Sequence, residues 1–332
     1  MKNMFKKVVV GMTMVMALGV FTGCGSDNKE MTKKAIPTVG IIQLVEHQAL
    51  DSANKGFVDA MKERGFVEGK TVKYDQQNAQ ADQSNLQNIS QRFVNDKVDL
   101  ICAIATPAAQ SVANATDTIP IVGTAITDYE VAKLVKSSDK PGTNVTGTTD
   151  MNPVGKQLEL ILKFVPNAKK IGTIYNSSEV NSQIQVELLK KLAKAKGIEV
   201  EEATVSTVND IQQAGQSLIA NKVDAIYVPT DNVVASAMPV LAGITNEAKL
   251  PVICGEASVV KNGALATVGI DYYKLGLQTG DMAADILEKK SKPQDMPIQS
   301  LKDMTYTVNE RVAKEIGVTV PKDILAKAEI VK

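Results

Sequence analysis

The sequence predicts an α/β protein made of two doubly wound, parallel-sheet lobes joined by a hinge that the chain crosses several times. Three observations predict it. Short aliphatic, β-branched runs alternate with segments of helical periodicity. One strand-to-helix turn recurs about a domain further along the chain. Aromatic residues make up only 4% of the chain and Trp is absent, which leaves the core to aliphatic side chains, as in sheets covered by helices on both faces. At 332 residues there is room for two such lobes.

Residues 1–23 stand apart from this pattern. Lys2, Lys6 and Lys7 precede an apolar run at 8–20, followed by small residues and Cys24. A basic start, a short apolar stretch and a small-residue end read as an export signal, and the run is too short for an ordinary membrane-spanning helix. Cys24 directly after Thr22-Gly23 resembles the bacterial lipobox, which implies diacylation of that Cys and a lipid-anchored, extracytoplasmic protein. Residues 24–35 are polar and without apolar period, as in a flexible tether.

From residue 36 the units follow in order. Residues 38–44 (TVGIIQL) read as a strand, and Leu50, Ala53, Phe57, Val58 and Met61 mark a helix stopped by Gly65. Residues 99–105 (DLICAIA) form a strand leading into a helix opened by Thr106 and Pro107, and 119–125 (IPIVGTA) form another strand. The second half begins again with the strand 170–175 (KIGTIY) and a helix marked by Ile184, Leu188, Leu192 and Ala195, ended by Gly197. Lys97-Val98-Asp99 before one strand is echoed by Lys222-Val223-Asp224 before another. We therefore expect residues 36–147 plus 268–299 in the first lobe and 148–267 plus 300–332 in the second, with crossings near 142–149 and 267–271.

Composition excludes several functions. Thirty-seven basic residues balance 37 acidic ones, so no positive field exists to hold nucleic acid. One His and three Cys, without a Cys-x-x-Cys pair, are too few for zinc or iron–sulfur ligation. Residues 65–71 (GFVEGKT) imitate a P-loop but have one residue too few between the glycines and follow a helix. No nucleophile elbow or metalloprotease motif occurs. The expectation is a binding protein, with no catalytic residue, metal or cofactor, acting as a monomer.

Parallel sheets bind ligands at the carboxyl ends of their strands, so the candidates are the residues there. In the first half these are Gln43, His47, Thr106, Pro107, Ala108, Thr127 and Asp128. In the second they are Tyr175, Asn176, Asn181, Ser182, Thr230, Asp231 and Asn232, with Asp271 and Tyr272 at the return. Thr106-Pro107-Ala108 opens a helix whose free N–H groups suit an anion. Asp231 offers a carboxylate to an ammonium group, or caps a helix. Tyr175 offers a flat ring, and the lone His47 reads either as a surface loop residue or as a site residue.

The runs ATPAAQ (105–110), TAITD (124–128), PGTNVTG (141–147), IYNSSEVNS (174–182), VPTDNVV (228–234) and IDYYKLG (270–276) resemble the bacterial ABC transporter substrate-binding proteins of the tryptophan/tyrosine-uptake type. The resemblance runs over nearly all of residues 36–332. It implies a type I periplasmic-binding-protein fold, delivery of a small solute to a separate permease and its ATPase, and an amino acid, aromatic by preference, as ligand. Competing readings are a sensory domain for a membrane kinase and a cleft hydrolase using His47.

Overall fold

The computed structural model describes residues 36–332; the export signal, Cys24 and tether expected within residues 1–35 lie outside the described residues. The chain first lays down β1 (Thr38–Gln43), α1 (Gln48–Glu63), β2 (Lys73–Asn78), α2 (Gln83–Asn95), β3 (Leu100–Ile104), α3 (Thr106–Ala115), β4 (Ile121–Ile126) and β5 (Val145–Thr149). It then builds α4 (Val154–Phe164), β6 (Lys170–Asn176), α5 (Val180–Ala195), β7 (Glu199–Val205), α6 (Ile211–Ala220), β8 (Ala225–Val228), α7 (Asn232–Ser236), α8 (Met238–Glu247), β9 (Val252–Cys254), α9 (Ala257–Lys261) and β10 (Ala266–Gly269). A return supplies α10 (Tyr272–Leu287) and β11 (Gln299–Ser300), and the chain finishes with β12 (Thr305–Asn309), α11 (Glu310–Ile316), α12 (Lys322–Leu325) and β13 (Ala328–Val331).

The strands form two sheets, in the orders β11-β5-β4-β3-β1-β2 and β13-β12-β10-β9-β8-β6-β7. All neighbours are parallel except β10 and β12. Counted within each half, the first five strands of both sheets follow the same doubly wound order, 2-1-3-4-5. The recurring turn behaves alike in both. Lys97 and Lys222 both take left-handed backbone (φ 52° and 56°), the Asp99 carboxylate accepts from Thr38 N at 2.7 Å, and that of Asp224 accepts from Lys169 N and Lys170 N at 2.7 and 2.8 Å. An acidic residue before the third strand thus ties down the start of the first strand in each lobe.

Strand membership sets the lobe limits. β5 keeps Thr148 and Thr149, and β11 keeps Ser300, in the first sheet, while Val268 and Gly269 stay in the second. The expected boundaries move by one or two residues, and the crossings fall at residues 150–153, 270–271 and 301–304. The expected hinge at 142–149 is mostly the strand β5. Its Thr- and Gly-rich run carries little apolar signal and is held by backbone pairing to β4 and by Thr146 Oγ1 donating to Met296 O at 2.8 Å. The polar β2 also passed unseen in the sequence, because it is an edge strand with half its side chains in solvent. In α5 the buried stripe is Asn181, Gln185, Val186, Leu189 and Ala193, while Ala195 is exposed. The inward face starts with polar residues, which hid its true phase.

The first sheet carries one aliphatic core, with Ile41, Leu100 and Ile104, and the second carries two, one with Ile171, Ile253 and Val268 and one with Ile174, Ile226 and Val252. Full burial of each such side chain contributes at most about 2–3 kcal/mol.

Candidate functional site

Strand order reverses between β1 and β3 in the first lobe and between β6 and β8 in the second, so loops and helix starts gather at these two points. The residues that follow those strands face each other between the lobes. His47, after β1, is buried rather than on the surface, and its Nε2 lies 3.2 Å from Asn232 Oδ1 at the start of α7. Asn232 Nδ2 donates to Glu179 Oε2, which leaves its Oδ1 facing the ring. His47 Nδ1 has no hydrogen-bond partner and faces Glu256 Oε1 at 3.8 Å. The hydroxyls of Thr127 and Thr230 meet at 3.4 Å.

Four carboxylates are buried around this junction: Asp150, Glu179, Asp231 and Glu256. Among the described residues none pairs with Lys or Arg, and His47 is the one potentially cationic neighbour. Asp150, at the first crossing, accepts from Thr127 Oγ1 at 2.9 Å and from Tyr272 OH, at the second crossing, at 2.7 Å. Burial pushes its carboxyl up to about 6 against those two bonds. Glu179 accepts from Asn181 Nδ2 at 3.0 Å and from Asn232 and Val233 N–H groups at 3.3 Å. Burial and the charge of Asp231 push Glu179 above the ordinary carboxylate range, and burial pushes Asp231 up as well. Glu256, in the turn between β9 and α9, accepts from Ser258 Oγ at 2.7 Å.

Two spaces open here. An inner chamber of about 10 Å³ is lined by His47, Asp150, Asp231, Asn232, Glu256 and Tyr272. An outer cleft of about 560 Å³ runs between Leu44, Pro107 and Gln110 of the first lobe and Asn176, Glu179 and Val233 of the second. Thr106 opens α3 beside this cleft with its Oγ1 buried and unpartnered.

The sequence-derived candidates divide. His47, Pro107, Thr127, Asn176, Thr230, Asp231, Asn232 and Tyr272 meet at the junction or line its two spaces, and Thr106 immediately precedes Pro107 at the start of α3. Asn181 and Ser182 brace it from the start of α5, through Thr230 O at 2.9 Å and Asp231 Oδ2 at 2.7 Å. Four others do not reach it. Gln43 donates to Val45 O and Asp51 Oδ1 within its own lobe. Ala108 is packed in the first core. Asp128 caps the turn at Glu130 and Val131. Asp271 caps α10 through Tyr273 N and Lys274 N. Tyr175 faces away from the cleft as well. Strand alternation that turns Asn176 to the cleft turns Tyr175 away, and its hydroxyl donates to Glu202 Oε2 at 2.8 Å on β7. Sequence reasoning missed Asp150, Glu179 and Glu256, although each follows closely on the end of a strand, as Asp231 does.

All three arginines are engaged elsewhere: Arg64 with Asp281, Asp285 and Glu288, Arg92 with Asp75, and Arg311 with Glu315. No group of His, Cys, Asp and Glu suited to a metal ion occurs among the described residues.

The family model for ABC transporter substrate binding protein matches residues 38–332. The chain belongs to that family. It is 45% identical to a tyrosine-binding protein of Clostridioides difficile over 95% of this chain and 92% of that one. It is 40% identical, with TM-score 0.85, to the L-Trp complex of an ABC domain from Streptococcus pneumonia, covering 89% of this chain and 99% of that chain. It is 47% identical, with TM-score 0.68, to the ligand-free, open structure of a substrate-binding protein with adhesive properties from Clostridium difficile, covering 90% and 99%. Solute-binding proteins at 14% and 17% identity share the two-lobed type I periplasmic-binding fold at TM-score 0.60. As an ABC transporter substrate-binding protein, this chain is a receptor for a small solute and works outside the cytoplasmic membrane.

Proposed function

We propose that the protein binds an amino acid, aromatic by preference, by closing its lobes on it and delivers it to an ABC permease and ATPase, held to the membrane by a lipid on Cys24. The observation that carries this reading is the inner chamber, where Asp150, Asp231 and Glu256 meet without a Lys or Arg partner. A desolvated cluster of that kind lacks only a cation, and a ligand ammonium supplies one. The start of α3, with the free Thr106 hydroxyl, suits the ligand carboxylate, and the outer cleft has ample volume for a ring. The ligands named for the relatives, tyrosine and L-Trp, agree with this charge pattern. The backbone matches the L-Trp complex at TM-score 0.85 and the ligand-free, open structure at 0.68.

Calorimetry with L-Tyr, L-Trp and L-Phe tests the ligand class. Stoichiometric binding of at least one is expected, and no heat together with no thermal shift for all three would overturn the reading. The anchor is tested separately: Cys24→Ser should release the protein from membranes, and full retention would remove the lipid claim.

A further inference from the structure

A further cavity of about 150 Å³ lies apart from the cleft, sharing Tyr272 with the inner chamber and no lining residue with the outer cleft. Its floor is one face of the second sheet. Thr267 on β10 pairs with Thr307 on β12, and Thr307 with Glu329 on β13, so the three side chains stand in a row on that face. Gln48 and Ser52 of α1, Ser258 and Lys261 of α9, and Asp271 at the start of α10 supply polar walls.

Thr307 shows that the row is unfinished. The residue is 1% exposed, yet its Oγ1 has no hydrogen-bond partner. A buried hydroxyl in that state is costly until something pairs with it. The hydroxyls around it already donate their one proton: Thr267 Oγ1 to Cys254 O, Ser258 Oγ to Glu256 Oε1 at 2.7 Å, and Ser52 Oγ to Gln48 O at 2.6 Å. Towards a molecule in the cavity each of these three can only accept. Asp271 Oδ1 takes the N–H groups of Tyr273 and Lys274, which leaves Oδ2 over. Two lining carboxylates, Asp271 and Glu329, thus stand against the single ammonium of Lys261. Lys327, close by in sequence, is engaged on the opposite face of β12, its Nζ 3.9 Å from the centre of the Tyr306 ring.

We propose that this cavity is a second binding site, for a small protonated aliphatic amine whose ammonium N–H groups meet Thr307 Oγ1, the acceptor hydroxyls beside it and the two carboxylates. An ammonium brings three donors and no acceptor, which complements such a lining. The volume, set against the roughly 10–15 Å³ that one water needs, admits an amine of several heavy atoms. The site lies outside the cleft, so the proposal is independent of which solute the cleft takes.

The test is calorimetry with four probes of one chain length: 4-aminobutan-1-ol, butane-1,4-diol, 4-hydroxybutanoate and 4-aminobutanoate. The amino alcohol should bind at one equivalent and at least tenfold more tightly than the other three. No binding of it, or equal or tighter binding of the diol, the acid or the zwitterion, overturns the proposal. Glu329→Gln and Thr307→Val should each weaken the amino alcohol at least threefold, and Lys261→Met should strengthen it, with melting temperatures reporting that each variant is folded. Glu329 and Lys261 are exposed, so these two carry the test if Thr307→Val unfolds. Unchanged affinity in the folded variants, or changes of the opposite sign, overturns the proposal. Threonine methyl NMR fixes the place: the amino alcohol should shift Thr267 and Thr307 and leave Thr106 and Thr230 still, and the reverse pattern would put the amine in the cleft and remove the second site.

Discussion

Asp231 is the residue where sequence logic left two compatible roles open, and three-dimensional bonding shows the capping one. Its carboxylate accepts from Val234 N at 2.9 Å, Asn176 N at 2.7 Å and Ser182 Oγ at 2.7 Å, so it caps α7 and pins the β6–α5 turn to the β8–α7 turn. Asp231→Ala leaves buried donors unpaired and should cost about 3 kcal/mol. Urea denaturation checks this, and a loss below about 1 kcal/mol would contradict the capping role. The neighbouring Glu179 leads to a pH prediction. A carboxyl raised in the folded state favours the neutral form. Its stabilising contribution is therefore complete at pH values below the ordinary carboxylate range and lost as pH rises through the raised value. Glu179→Gln removes that dependence, so its melting temperature relative to wild type should climb as pH rises from 4 towards 8. A difference that is flat or falls with pH would show that Glu179 is charged throughout. The type of residue at these turns was legible in the sequence, because acidic and amide groups after strands are conspicuous. Which turns face each other was not, since Tyr175 and Asn176 are adjacent and point to opposite sides of one strand.

Among the elements, α1 and α10 carry the strongest packing constraint. α10 begins just after the second crossing and lies across α1 so closely that a methyl group at Gly276 would sit 2.0 Å from Ala53 O, and one at Gly56 2.2 Å from Tyr273 O. Gly276→Ala must push the helices apart and should cost about 2–3 kcal/mol. It should also weaken ligand binding, because the displaced helix begins with Tyr272, whose hydroxyl bonds Asp150 at the hinge. Thermal melting and calorimetry on the same preparation test both effects; wild-type values in each would show that the helices yield freely. Strong aliphatic strands and the helix ends at Gly65 and Gly197 could be read directly from the sequence. β2 and β5 could not, since edge position and Thr-rich composition leave them without an apolar alternation.

At the scale of the whole molecule, two lobes of the same strand order place their switch points face to face, with the crossings on one side as the hinge. Ligand should reduce the radius of gyration in scattering, with saturation tracking the calorimetric isotherm; no change at saturating ligand would separate binding from closure. Cys102 and Cys254 lie fully buried in different sheets, and burial pushes both thiols up. Neither should react with a thiol reagent until the protein unfolds, with or without ligand, and labelling at the native state would reveal an opening of the cores.

The sequence by itself determined the class of the fold and its duplication, because aliphatic periodicity and the recurring Lys-Val-Asp turn are local patterns that survive without any knowledge of neighbours. Tertiary structure alone decided the site. His47, Asn232, Glu179 and Glu256 are drawn from loops up to 209 positions apart by number, and only the facing of two switch points brings an imidazole, an amide and uncompensated carboxylates into one desolvated space. Burial without a partner charge, which gives that space its chemistry, is a property of the assembled lobes and of no single segment.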